Sequence, residues 1–182
     1  DAQDTMSLAT YEEARPWARA IKEEVLTRRM PVWHVVRGYG DFSDDPSLSA
    51  FDIALVSAWV DGGAPKGTAA DLVRDSTSVQ PWKPSPPQLP GARDVTLPCG
   101  EQSAPAGTLL AIRPALGAGA SVGIAMKLPG NRVEIVAWIR GYDPRFPWTY
   151  QLRVPLVLPP NTTVSAAPST PDCSITLTVR TP

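Results

Sequence analysis

Proline decides most of what this chain can become. There are 21 in 182 residues, more than double the roughly 5% share of an average protein, and they crowd the middle and the second half. Each fixes φ and lacks an amide proton, so long helices are broken where prolines fall and an all-helical fold is excluded. With 43% apolar and 19% charged residues, the chain has material for one compact domain or two small ones. The formal net charge of -1 removes the broad cationic surface that a phosphate backbone requires, so nucleic acid is not an expected partner. No stretch approaches about 18 consecutive apolar residues, and no basic region leads into an apolar core at the N-terminus. Neither a transmembrane segment nor a retained signal peptide is expected.

Charge divides the chain more sharply than its total. Residues 1–75 carry 8 Lys/Arg and 13 Asp/Glu, a balance of -5, whereas residues 76–182 carry 9 and 5, a balance of +4. Two modules are expected, over 1–75 and 93–182. Between them the segment 76–92 is a proline-rich linker, with five prolines between Ser76 and Gly91, a composition that favours extended polyproline conformation.

The first module reads as helical. Thr10-x-x-Glu13 is a capping box that should start a helix, Pro16 should force a restart, and the helix should continue to about Arg28 with Trp17, Ala18, Ile21, Val25 and Leu26 on one apolar face. A second helix should open at Ser49, with Asp52 as capping partner, and end at Gly62-Gly63. Met30 to Pro46, between them, has no helical period and is rich in Gly, Pro, Asp and aromatics. Long shaped loops of this kind often carry function.

The second module reads as strands. Residues 108–113, 121–128, 132–140, 150–157, 162–165 and 174–180 are short runs rich in Val, Ile, Leu and Thr, and Pro129-Gly130-Asn131 is a hairpin turn between two of them. Six or seven antiparallel strands without interposed helices fit a β-sandwich or jelly roll. The expected fold class is therefore α + β and multi-module. Cys99 and Cys173 both lie in the β module. A disulfide closing about 75 residues would contribute roughly 4–5 kcal/mol and imply an extracytoplasmic location, periplasmic or cell-surface. The alternative is two buried free thiols in a cytosolic protein.

Catalytic motifs are few. His34 is the single histidine, which excludes multi-imidazole zinc and copper sites and most acid–base relays. There is no Gly-x-Ser-x-Gly elbow and no phosphate-binding loop, and Gly117 to Gly123 misses dinucleotide spacing and reads as a turn. Asn161-Thr162-Thr163 is an N-glycosylation sequon of low specificity. No catalytic residue is assigned.

One constellation stands above this background. Arg28-Arg29-Met30-Pro31-Val32-Trp33-His34 is followed by Gly38-Tyr39-Gly40-Asp41-Phe42-Ser43-Asp44-Asp45. Leu48-Ser49 then opens a helix that ends in Ala58-Trp59-Val60-Asp61-Gly62-Gly63-Ala64-Pro65. Over residues 5–72 this order resembles the C-terminal part of a class I c-type cytochrome domain, in the bacterial family where such a domain precedes a β module. The resemblance implies a small helical cytochrome c-like module, haem c as cofactor and Met30 as distal axial ligand. Trp17, Trp33 and Trp59 would then keep water from the porphyrin. A thioether is a soft ligand that stabilises reduced iron and raises the potential. Without the resemblance, Met30 would fill a gap in an ordinary core walled by those tryptophans. His34 would approach a haem propionate or lie at the surface, and the surface is the favoured place.

The sequence departs from the family at haem attachment, because Cys-x-x-Cys-His is absent from all 182 residues. Two expectations follow. Either the motif lies upstream of Asp1 and the protein transfers electrons, or the protein is a haem-free structural or interaction subunit of an extracytoplasmic redox or envelope complex. Its partner is a redox or scaffold protein in either case, and an enzymatic role ranks behind both. The stretch Arg140 to Pro160 also resembles part of the C-terminal jelly-roll domain of type II copper, ascorbate-dependent monooxygenase-like proteins. That family's copper site needs histidines, which this module lacks. Only the fold is carried over, and Met126 is expected to be an ordinary strand residue.

Overall fold

The computed structural model describes residues 8–43, 45–68 and 89–181. The chain divides into two compact units, one of residues 1–33 and 46–82 and the other of residues 34–45 and 83–182. Most of the linker expected over 76–92 lies outside the described residues.

In the first unit, Thr10 starts helix α1 (Tyr11–Ala14). Its hydroxyl accepts the Glu13 amide at 3.3 Å, and the Glu13 carboxylate accepts the Thr10 amide at 3.1 Å. Pro16 then imposes a 3₁₀ turn over Arg15–Trp17, after which α2 (Ala18–Leu26) runs to a left-handed Arg28 with φ 56°. The restart turns Trp17 away from the apolar face expected for it, and it is 51% exposed. Helix α3 (Ala50–Asp61) opens at a second reciprocal cap, with Ser49 Oγ accepting from the Asp52 amide at 3.1 Å and Asp52 accepting from the Ser49 amide at 2.9 Å. Tyr11 Oη donates to the Ala64 carbonyl at 2.8 Å, Lys22 pairs with Asp61 at 2.6 Å, and Lys66 pairs with Glu12.

The described residues of the second unit form eight strands: β1 (Ala92–Pro98), β2 (Gly100–Ser103), β3 (Gly107–Leu116), β4 (Val122–Leu128), β5 (Arg132–Ile139), β6 (Tyr150–Leu158), β7 (Thr163–Pro168) and β8 (Cys173–Arg180). They form two antiparallel four-stranded sheets, β1-β8-β3-β6 and β2-β7-β4-β5, the strand order of a jelly roll. Strand β4 shows why. Val122, Ile124, Met126 and Leu128 are buried and alternate with more exposed residues, so one face enters the core and the other meets solvent. Across the core stand Leu109, Ile112, Ile175, Leu177 and Val179, all nearly or fully buried. Met126 is fully buried, as expected of a strand residue. Cys99 and Cys173 form a disulfide with a Cα–Cα distance of 5.4 Å, joining the end of β1 to the start of β8.

The expected α + β fold class, led by a helical cytochrome c-like module, is overturned. Among the described residues the architecture is β-rich, with two four-stranded antiparallel sheets and only short α-helices of 4, 9 and 12 residues. The physical reason is visible in burial. Among the described residues of the first unit only Ala18, Val25 and Ala64 are buried, too little apolar surface for a helical core of its own.

Candidate functional site

Met30 is half-buried just beyond α2, and its amide donates to the Glu24 carbonyl at 3.2 Å. Trp17 sits in the 3₁₀ turn, Trp33 is half-buried, and Trp59 on α3 donates its Nε1–H to the Pro65 carbonyl at 3.0 Å. All four candidate haem-contacting residues thus belong to the first unit. They do not by themselves make a haem site. Both cysteines are consumed by the disulfide, so neither can bond a vinyl group. The one histidine is engaged at both nitrogens, as described next, and its one ring lone pair is taken up by a backbone amide rather than offered to iron. Met30 remains as a single soft donor. Among the described residues there is also no group of three His, Cys, Asp or Glu side chains placed to hold a metal ion.

Residues 34–43 form a strap across the open side of the sandwich. On one limb the Val36 amide donates to the Trp138 carbonyl at 2.7 Å and the Arg140 amide to the His34 carbonyl at 2.9 Å, which adds the limb to the edge of β5. On the other limb the Ser43 amide donates to the Gln151 carbonyl at 3.0 Å and the Arg153 amide to the Asp41 carbonyl at 2.9 Å, which adds it to the edge of β6. The turn between the limbs depends on Gly40. Its φ is 90°, and a Cβ there would stand 2.3 Å from the Val136 carbonyl oxygen, so an L side chain is doubly excluded. Phe42 is buried against the Tyr150 ring at 5.6 Å, Tyr39 meets Trp138 edge-on at 5.0 Å, and Arg153 pairs with Asp41 at 2.8 Å.

The expectation that His34 lies at the surface is corrected. It is 6% exposed, because the strap pairing turns it inward, beside the Tyr142 ring at 5.1 Å. Its Nε2 accepts the Asp143 amide at 3.2 Å, and its Nδ1 lies 3.0 Å from Tyr150 Oη. A backbone N–H can only donate, so Nε2 carries a lone pair and the proton sits on Nδ1, directed at the tyrosine oxygen. Burial lowers the His34 pKa below its ordinary value, and the nearby Asp143 carboxylate opposes that shift. Asp143 is itself held below the usual carboxylate range, chiefly by the Arg145 guanidinium at 2.7 Å. Burial raises the Tyr142 pKa, and its hydroxyl donates to the Pro114 carbonyl at 3.1 Å.

Two open depressions flank this cluster and share Tyr142 and Pro144. One, of about 540 Å³, is bordered by Leu116, Asp172 and Ser174; the other, of about 440 Å³, by Gly119, Asp143 and Arg145. The imidazole behind them already has both nitrogens engaged, so it is a structural pin rather than a base poised for proton transfer. Sequence reasoning missed Tyr142, Asp143 and Tyr150, because no local pattern ties residue 34 to partners more than a hundred positions away.

The remaining unusual feature is α3. Apolar residues surround it on every side, yet none of its 12 residues is buried, and Phe51 and Leu55 are 73% and 59% exposed one turn apart. Compared with known proteins, the chain matches no family model, no curated protein and no solved structure. No helix among the described residues is long and apolar enough to cross a membrane.

Proposed function

We propose that the chain is a structural or interaction subunit of an extracytoplasmic redox or envelope complex, with the helical unit as its docking element. The observation that carries this reading is α3, an apolar helix with no buried residue. A soluble helix that is hydrophobic all round is normally buried, and exposed apolar surface of this kind marks contact with another protein. The partner would present an apolar surface of its own over Phe51 and Leu55. The Cys99–Cys173 disulfide supports a periplasmic or cell-surface location, since such bonds persist outside reducing compartments. The test is site-specific photo-crosslinking in the source cells, with a photoreactive phenylalanine at position 51 and a control at Arg132. A discrete adduct at 51 alone, lost on Leu55→Asp with helicity unchanged, is expected. Equal labelling at both positions rejects the docking role.

Electron transfer is the second reading, favoured by the presence of Met30 and three tryptophans in one unit. It requires attachment thiols and a proximal histidine supplied from outside these 182 residues. A visible spectrum of the natively purified protein separates the two readings. A Soret band with sharp reduced α and β bands supports electron transfer, and a colourless protein from cells competent in haem attachment supports the haem-free subunit.

A further inference from the structure

We infer that the strap of residues 34–43 is an acid-released latch on the edges of the two sheets, with His34 as its pin. This goes beyond the docking role and does not depend on it. The chain leaves the first unit after Trp33, supplies residues 34–45 to the second, and returns at Pro46. The strap is thus a short excursion. Four backbone hydrogen bonds tie it to residues 138–140 and to β6, and side-chain contacts reinforce them: Phe42 in the core, Tyr39 edge-on to Trp138, the Ser43 hydroxyl on the Gln151 carbonyl, Arg153 on Asp41 and on the Phe42 carbonyl, and His34 between Tyr150 and Asp143.

Only His34 among these fastenings changes charge in the mildly acidic range. The geometry gives the sign. In the docked strap the Asp143 N–H points at Nε2, so protonating that nitrogen sets two donors face to face and places a cation in a site 6% exposed. The groups around it do not compensate. From the turn after β5, the Asp143 carboxylate would attract an imidazolium, but Arg145 holds both of its oxygens. Beside it Tyr142 presents a ring, with Arg113 of β3 acting electrostatically on that tyrosine. From β6 come the Tyr150 hydroxyl, which is neutral, and Arg153, which is cationic and paired with Asp41 of the strap itself. Asp45 also acts on Arg153, and Arg140 of the segment after β5 meets His34 through its backbone amide. Burial outweighs the acidic neighbour, in line with the lowered pKa.

The released strap exposes the imidazole to water and restores its ordinary pKa of about 6.5. The docked form therefore has its full advantage above that value. As pH falls from there towards the lower pKa of the docked state, the ratio of released to docked strap rises about tenfold per pH unit, and below that pKa it levels off. Release bares the paired backbone at 138–140, where β5 ends, and of β6 at 151–153, edges that can accept an added strand.

The single histidine makes the test direct. In the uniformly ¹⁵N-labelled full chain, long-range ¹H–¹⁵N spectra should show the Nδ1–H tautomer at pH 7.5 and a midpoint below 6.5. Amide exchange at Val36, Ser43, Arg140 and Arg153, corrected for intrinsic rates, should accelerate about tenfold per pH unit across that window, while Ile124 and Leu177 amides hold. His34→Gln should flatten the pH profile. Gly40→Ala, which crowds the Val136 carbonyl, should open the same four amides at every pH and so confirm what they report. A midpoint at or above 6.5, an Nε2–H tautomer, or strap amides indifferent to pH overturns the latch. If His34→Gln does not fold, the wild-type titration and exchange decide alone.

Discussion

The two units of this chain differ in what holds them. The sandwich interleaves aliphatic residues from two sheets, ties its first strand to its last with a disulfide, and completes its open side with a strap. Among its described residues the helical unit has reciprocal caps, surface ion pairs and three buried residues. Surface pairs of this kind are worth little, whereas each buried aliphatic side chain contributes about 1.5–3 kcal/mol. The difference teaches that the sandwich has a filled interior of its own, while the described helices have well-formed ends but little interior.

The largest expected effect separates the units through the disulfide. Replacing both Cys99 and Cys173 with Ser removes a link across 74 positions, and the chain-entropy model puts the loss at about 4.5 kcal/mol. Urea unfolding followed by a probe of the sandwich should register that loss, while the helical signal at 222 nm should melt at its former midpoint. Parallel shifts in both signals would show that the units unfold together and would break the comparison.

Core truncation sharpens it. Leu177 is fully buried in β8, one of the two inner strands of its sheet, so Leu177→Ala should cost about 3 kcal/mol through lost burial and the cavity left behind. Val25 is the matching position in α2 and is also buried, but the described residues of its unit include only two other buried positions, Ala18 and Ala64. Val25→Ala should cost about 1 kcal/mol. Equal costs, measured as denaturation midpoints at unchanged slope, would mean that the helical unit packs better than its burial indicates.

The same contrast explains what could be read before folding. Strand β4 was legible because Val122 to Leu128 alternates and ends in Pro129-Gly130-Asn131, which pairs Leu128 with Arg132. Both helix starts were legible because a capping box is complete within four residues. Strands β1 and β2 were missed. Ala92–Pro98 carries Arg, Asp and Pro, and Gly100–Ser103 has no aliphatic residue; they are strands because β8 and β7 offer them partners. The strap was read only as a shaped loop, since its pairing with 138–140 and 151–153 is set by tertiary contact. His34 was placed outside for the same reason, and Trp17 was placed on an apolar face that the 3₁₀ turn then rotated away.

The smallest effect is the most diagnostic of the helical unit. Ser49 caps α3 through its hydroxyl, which accepts the Asp52 amide and donates to the Asp52 carboxylate at 2.6 Å. The Ser49 hydroxyl and then the Ser49 amide, both donating to that carboxylate, hold the Asp52 carboxyl below its usual pKa, so the ionised carboxylate is the form that supports the cap. Ser49→Ala should cost about 1 kcal/mol. In the sandwich a loss of that size would disappear into a large interior. In α3, which has no buried residue to resist fraying, it should appear directly as lower ellipticity at 222 nm, with the sandwich midpoint unmoved. The support from Asp52 is present above its ordinary pKa of 3.8 and is lost as pH falls through its lower folded value. Acid should therefore fray the wild-type helix towards the Ser49→Ala level and change the variant less. A variant whose helicity equals that of the wild type at neutral pH would show that α3 is held by packing along its length, and the division between a filled unit and an unfilled one would fall.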